Sequence, residues 1–222
     1  MLNSGYRFSA HGASDYPGAR FLADCRTYVH QATAPTLPEW LAGVAAGRSF
    51  FTTGPLLLLE VDGEKPGAQI RKKGDEPHTM TARVRMRCEV TPVTDIDLIV
   101  NGRTVKTWQV PPAESKGRWI EVEQAVPLDE SAWIAARAHS KSPGGLPDAE
   151  AHTNPVYVYL NNRAPFQKAA VDAWIAKIDG QIAIHAKRIF PENAKVLNYF
   201  QRAREFLLKL RAQGGLSADA EP

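Results

Sequence analysis

The chain has 222 residues, 44% of them hydrophobic and 23% charged, an ordinary globular composition with room for one large domain or two small ones. Its net charge of +3 is spread along the chain with acidic residues between the basic ones, which argues against a nucleic-acid partner, since that needs a concentrated positive field. No window reaches the roughly 20 apolar residues of a membrane span, and the N-terminal MLNSGYRFSA lacks the basic-then-apolar order of a signal peptide, so a soluble chain without membrane contact is expected.

In YRFSAHGASDYPG, residues 6–18, Tyr6 and Phe8 alternate with polar neighbours, which predicts a strand running to Asp15. A carboxylate on the loop leaving a strand is a common place for a metal ligand or catalytic acid; equally, Asp15 can serve only the turn that follows. RTYVHQA, around Thr27 to Val29, reads as a short extended segment. PTLPEWLAGVAAGRSF has the marks of a helix: a capping threonine at Thr36, Pro38 in the first turn and Trp40, Leu41, Val44 and Ala45 at helical spacing, with Gly47 as the stop. Cys25 and Cys88 lack CxxC spacing and read as small buried side chains rather than a redox or zinc pair.

From Pro55 the period changes to two. In HTMTARVRMRCEV, Met80, Ala82, Val84, Met86, Cys88 and Val90 share one face, and Thr81, Arg83, Arg85, Arg87 and Glu89 share the other. Asn101-Gly102 marks a type I′ hairpin turn within TDIDLIVNGRTVKTWQV. With LLLLEVD, GRWIEVEQAVPL, SAWIAARAH and PVYVYL, the count is about seven strands in roughly a hundred residues, the size of an immunoglobulin-like or fibronectin-like sandwich. If the strand at 78–90 neighbours the one at 118–127, its arginines meet Glu121 and Glu123 and form a neutralised solvated face; otherwise they form a basic binding stripe. SPGGLPDAEAH, residues 142–152, reads as a connecting loop between the last two strands.

After Asn162 the helical period returns. Val171, Trp174, Ile175, Ile178, Ile182 and Ile189 form one apolar face, and Val196, Phe200, Ala203, Leu207 and Leu210 form another; joined at FPEN, the two make an antiparallel hairpin. The fold class expected is therefore α+β, with βα material over 1–54, a β-sandwich over 55–162, a helical hairpin over 163–215 and a frayed tail over 216–222.

The six histidines, His11, His30, His78, His139, His152 and His185, include no HxH or HExxH pair. His11 and Asp15 can reach one ion from a single loop, but two ligands do not complete a site. GxSxG, a Walker lysine and GxGxxG are all absent.

LPEWLAGVAAGRSFFTTGPLLLLEVDGEKPG, with its helical Trp40, Gly47-Arg48-Ser49-Phe50, Thr53-Gly54-Pro55 and Val61-Asp62-Gly63, resembles the C-terminal part of the CehA/McbA group of metallohydrolases in the PHP (polymerase and histidinol phosphatase) superfamily. CRTYV at 25–29, DLIVNG, SAWIAARAHS and AHTNPVYVYLNN are similar to other segments of that group, so the likeness covers about residues 10–163. The resemblance implies that residues 1–54 are the closing elements of a distorted β/α barrel, with Zn, Mn or Fe activating water against phosphoesters or related esters. It further implies that Asp15 is a metal ligand with His11 beside it, and that Arg26 and Arg48 line one pocket as anion contacts. The group's last motif follows its Asp with a His two residues on; here that position is Pro17. The HxH pair and the other ligands of the family would precede residue 1. The expectation is a hydrolase portion that is inactive alone and completed by a homodimer partner or a separate barrel-bearing chain; the alternative is a non-enzymatic interaction module.

Overall fold

The computed structural model describes residues 1–18, 21–74, 76–140 and 149–219, with eleven strands and three α-helices. The chain divides into two compact units, Phe8–Asn161 and a second unit made of Met1–Arg7 with Asn162–Pro222.

The larger unit is sandwich-like. One sheet holds three strands in the order β3 (Leu56–Val61), β5 (His78–Arg87), β8 (Ile120–Leu128). The other holds eight. Its central strand β9 (Ala132–His139) pairs on one edge with β6 (Asp95–Val100), which pairs in turn with β7 (Arg103–Gln109). The other edge of β9 is shared by β10 (Glu150–Thr153) and β11 (Val156–Leu160). Beyond β10 lie β2 (Ser49–Thr52) and then β1 (Arg26–Val29), while β11 is flanked in parallel by β4 (Gln69–Lys72). Leu57, Leu59, Val84 and Met86 of the small sheet share one buried core with Ile96, Leu98, Ile134, Ala136 and Val158 of the large one.

All seven strands expected between 55 and 162 are present, joined by β4 and β10. β10 begins inside the stretch expected to be a loop, 142–152; most of that stretch, 142–148, lies outside the described residues. The alternation of β5 holds as far as Cys88, which is buried, but Val90 lies past the strand and is 77% exposed. Asn101 and Gly102 have φ of 49° and 81°, the two positive angles that a type I′ turn requires. β5 does neighbour β8, in a register that sets Arg83 opposite Glu123 and Arg85 opposite Glu121. Arg83 pairs with both carboxylates and Arg85 with Glu121, whereas Arg87 turns to Glu89 on its own side. The row is a neutralised surface.

One expectation for residues 6–54 needs correction. No strand runs from Tyr6 to Asp15; the segment has no ladder partner and is held by side chains instead. Helix α1 (Leu37–Ala45) does form, with the Glu39 carboxylate accepting from both the N–H and the hydroxyl of Thr36. The strands on either side of it, β1 and β2, pair antiparallel, unlike neighbours in a βα barrel. They extend the large sheet, and among the described residues neither sheet closes into a barrel. Gly43 inside α1 is explained by close approach: a Cβ there would meet Val29 Cγ1 at 2.3 Å.

In the second unit α2 (Lys168–His185) and α3 (Asn193–Gln213) form the expected hairpin, with Asp172 paired to Arg211 and Asp179 to Arg204 in antiparallel order. Val171, Leu207 and Leu210 are buried between them, with Trp174, Ile175 and Ile178 packed alongside. Ile189 lies beyond the end of α2 and is fully exposed, so it takes no part in this face. Residues 1–7 belong to this unit: Ser4 bridges Phe166, and the Gln167 N–H donates to the Asn3 carbonyl. The start of the expected tail is also bonded, with the Leu216 carbonyl accepting from Ala164 and the Ala218 N–H donating to Asn162. No helix among the described residues is long and apolar enough to cross a membrane.

Candidate functional site

The loop carrying His11 and Asp15 is positioned by three contacts with the large sheet. Asn154, at the break between β10 and β11, is 1% exposed. Its Oδ1 accepts from the Ala10 N–H at 2.7 Å and its Nδ2 donates to the Ala10 carbonyl at 2.9 Å, while the same nitrogen reaches the Ser49 hydroxyl at 2.8 Å. Thr27 of β1 accepts from the Gly12 N–H and donates to the Gly12 carbonyl, each at 3.0 Å. Gly12 is pressed so closely on the sheet that a Cβ would sit 2.4 Å from the Cys25 sulfur and 3.1 Å from Phe51 Cβ. A side chain cannot fit there, so glycine sets the path of the loop.

Both candidate ligands are exposed, His11 between the two anchored residues and Asp15 beyond them. Asp15 has φ of 52°, and its backbone carbonyl accepts from the Gly18 N–H at 2.7 Å, closing a turn that contains Pro17. The turn uses the backbone of Asp15 and leaves its carboxylate beside Gly18. Among the described residues no three His, Cys, Asp or Glu side chains form a group that would hold a metal ion. The residues present therefore do not fit a complete di- or trinuclear centre, and no catalytic step through a metal follows from them.

Among the described residues Arg26 and Arg48 line two different hollows. They sit at opposite ends of the β1–β2 ladder, where Arg26 faces Thr52 and the Arg48 carbonyl accepts from the His30 N–H. Four residues of strand separate the two ends, roughly 13 Å. Arg26 lines a cleft of about 450 Å³ with Tyr28, Leu56, Arg87, Glu89 and Val90. Arg48 lines a separate hollow of about 330 Å³ with Lys65 and Gly67. Near Arg48 the backbone is crowded: Gly67 has φ of 87°, and a Cβ on it would meet the Ala46 carbonyl at 2.2 Å. Gly47 and Gly67 thus serve a close chain crossing, whereas Gly63 has nothing within 4 Å of a Cβ built on it.

The sequence reading did not foresee the polar row across the outer face of the large sheet. Register aligns Thr27, Phe51, His152, Arg137, Asp97 and Thr107 on successive strands. Asp97 accepts from the Thr107 hydroxyl at 2.6 Å and lies 3.0 Å from His139 Nε2, while Arg137 pairs with Glu150. His152 stacks on Phe51 with ring centroids 5.7 Å apart, and its Nδ1–H donates to the Thr153 carbonyl at 2.7 Å. Burial holds His152 below the ordinary histidine pKa, with Arg137 adding to the effect and the Thr153 bond and Glu150 opposing it. Only the pairing of distant strands brings these groups together; the one local signal was the Asn154-Pro155 dipeptide, a marker of a strand break.

No family model matches the chain, and no curated protein matches it.

Proposed function

We propose that this chain is the C-terminal portion of a metal-dependent hydrolase of the CehA/McbA type, and that its contribution to the active site is the loop bearing His11 and Asp15. One observation carries this reading. Both side chains that anchor the loop, Thr27 and Asn154, belong to the CRTYV and AHTNP segments on which the resemblance rests. An exposed carboxylate on a braced loop is suited to completing a ligand set supplied from elsewhere, by a barrel-bearing segment or a second copy. A bound metal would supply an activated water for phosphoester or related ester hydrolysis.

Metal retention tests this. The protein is purified without chelator, alone and together with a segment that carries the HxH pair, and assayed by elemental mass spectrometry and phosphoesterase turnover. Near-stoichiometric Zn, Mn or Fe with turnover is expected in the combined preparation, both reduced by Asp15→Ala. Metal and turnover unaffected by that substitution would remove Asp15 from the site. No metal in any preparation would favour the alternative, a non-enzymatic interaction module.

A further inference from the structure

We propose that the open end of the sandwich binds a small amphiphilic anion, a carboxylate or phosphate monoester on an apolar body, with Arg26 as its ionic anchor. Along most of their length the two sheets fill each other's inner faces with Leu57, Leu59, Met86 and Ile96. Where the edge strand β1 stands over the start of β3 and the end of β5, that filling stops and leaves the cleft of about 450 Å³. This is within the usual range for small-molecule sites, roughly 300–1,000 Å³.

The walls favour a ligand of two characters. Tyr28 is held in place by stacking on Phe50, with centroids 5.2 Å apart and planes at 9°, and with Leu56 and the exposed Val90 it offers apolar surface. Of the two arginines in the cleft, Arg87 is neutralised by Glu89. Arg26 makes no ion pair or side-chain hydrogen bond among the described residues. The Arg26, Arg87 and Glu89 side chains therefore leave one positive charge unmatched, on a guanidinium whose planar fork suits a carboxylate or phosphate. The site uses neither His11 nor Asp15, so its test needs no metal and its outcome is separate from that of the metal-retention test.

Calorimetric titration of the whole chain with phenyl phosphate and with 4-phenylbutyrate tests the proposal, with inorganic phosphate and benzyl alcohol as the separate head and body. At least one of the two amphiphiles should saturate a single site, and whichever does identifies the head group. Inorganic phosphate and benzyl alcohol should each bind about tenfold more weakly or worse. Arg26→Gln should weaken the amphiphile by about tenfold or more and Arg26→Lys by less, because the lysine keeps the charge and loses the fork. Arg48→Gln, in the other hollow, should change nothing. Thermal midpoints equal to the parent's show that the variants fold, as the exposed position of Arg26 leads one to expect. Absence of saturation by both amphiphiles, equal binding by inorganic phosphate, or unchanged affinity in Arg26→Gln overturns it.

Discussion

Asn154 illustrates how much one buried amide can organise. Its side chain satisfies both backbone groups of Ala10 and reaches the Ser49 hydroxyl. Asn154→Ala should cost about 1–2 kcal/mol, since the buried Ser49 hydroxyl and both backbone groups of the exposed Ala10 lose their bonds at once. Chemical denaturation measures the cost, and faster amide exchange at Ala10 should accompany it. Asn154 entered the sequence reading only as part of a resembling segment, because nothing local says that its partner is 144 residues away. His152 carries a second prediction. Its pKa is lowered by burial, and so is that of His30, where Lys65 adds to the effect and Glu60 opposes it. Folding thus disfavours the proton on both rings, so the unfolded chain binds more protons as pH falls through about 6.5, and stability declines with it. Denaturation midpoints at pH 7.5 and below 6 should show the decline, and His152→Gln should reduce its slope. A slope unchanged by that substitution would mean that His152 is not one of the responsible groups.

The strands were legible where one face is buried and the other wet. β5 shows this best, because its period of two continues for ten residues. The charge rows on β5 and β8 were legible too, and their pairing makes the face self-neutralising. Arg83 and its carboxylates are about half exposed, so Arg83→Ala should move the thermal midpoint only slightly, and by less in high salt. A large, salt-independent loss would show that the row does more than solvate the sheet. The short strands β2, β4 and β10 escaped notice for a physical reason. Four residues carry too little periodicity, and each strand exists because a partner offers it a ladder. The segment from Tyr6 to Asp15 failed in the opposite direction: its alternation was real, but no strand lies beside it to pair.

At the scale of the molecule, each unit has a core of its own, the sandwich a large one and the helices a small one built on Val171, Leu207 and Leu210. Residues 1–7 contribute to the smaller unit, where Ser4 is fully buried and Tyr6 packs at the helical core. Removing Met1–Arg7 should therefore raise amide exchange in α2 and α3 while leaving β5, β6 and β9 protected. Uniform loss of protection across the sandwich strands would contradict this division. The sequence places residues 1–7 with the segment that follows them, since chain order is the only proximity that it displays.

Periodicity by itself determined seven strands, the helical hairpin, α1 with its cap and the Asn101-Gly102 turn, because each depends on neighbours within a few residues. Composition determined that the basic residues would be dispersed, and the arginine row proved to be matched by glutamates. Tertiary structure alone decided that β1 and β2 extend the large sheet, that Asn154 and Thr27 brace the Asp15 loop, and that Arg26 and Arg48 face different hollows. Those outcomes depend on register between strands far apart in the chain, and a one-residue slip in register would turn each of these side chains to the opposite face.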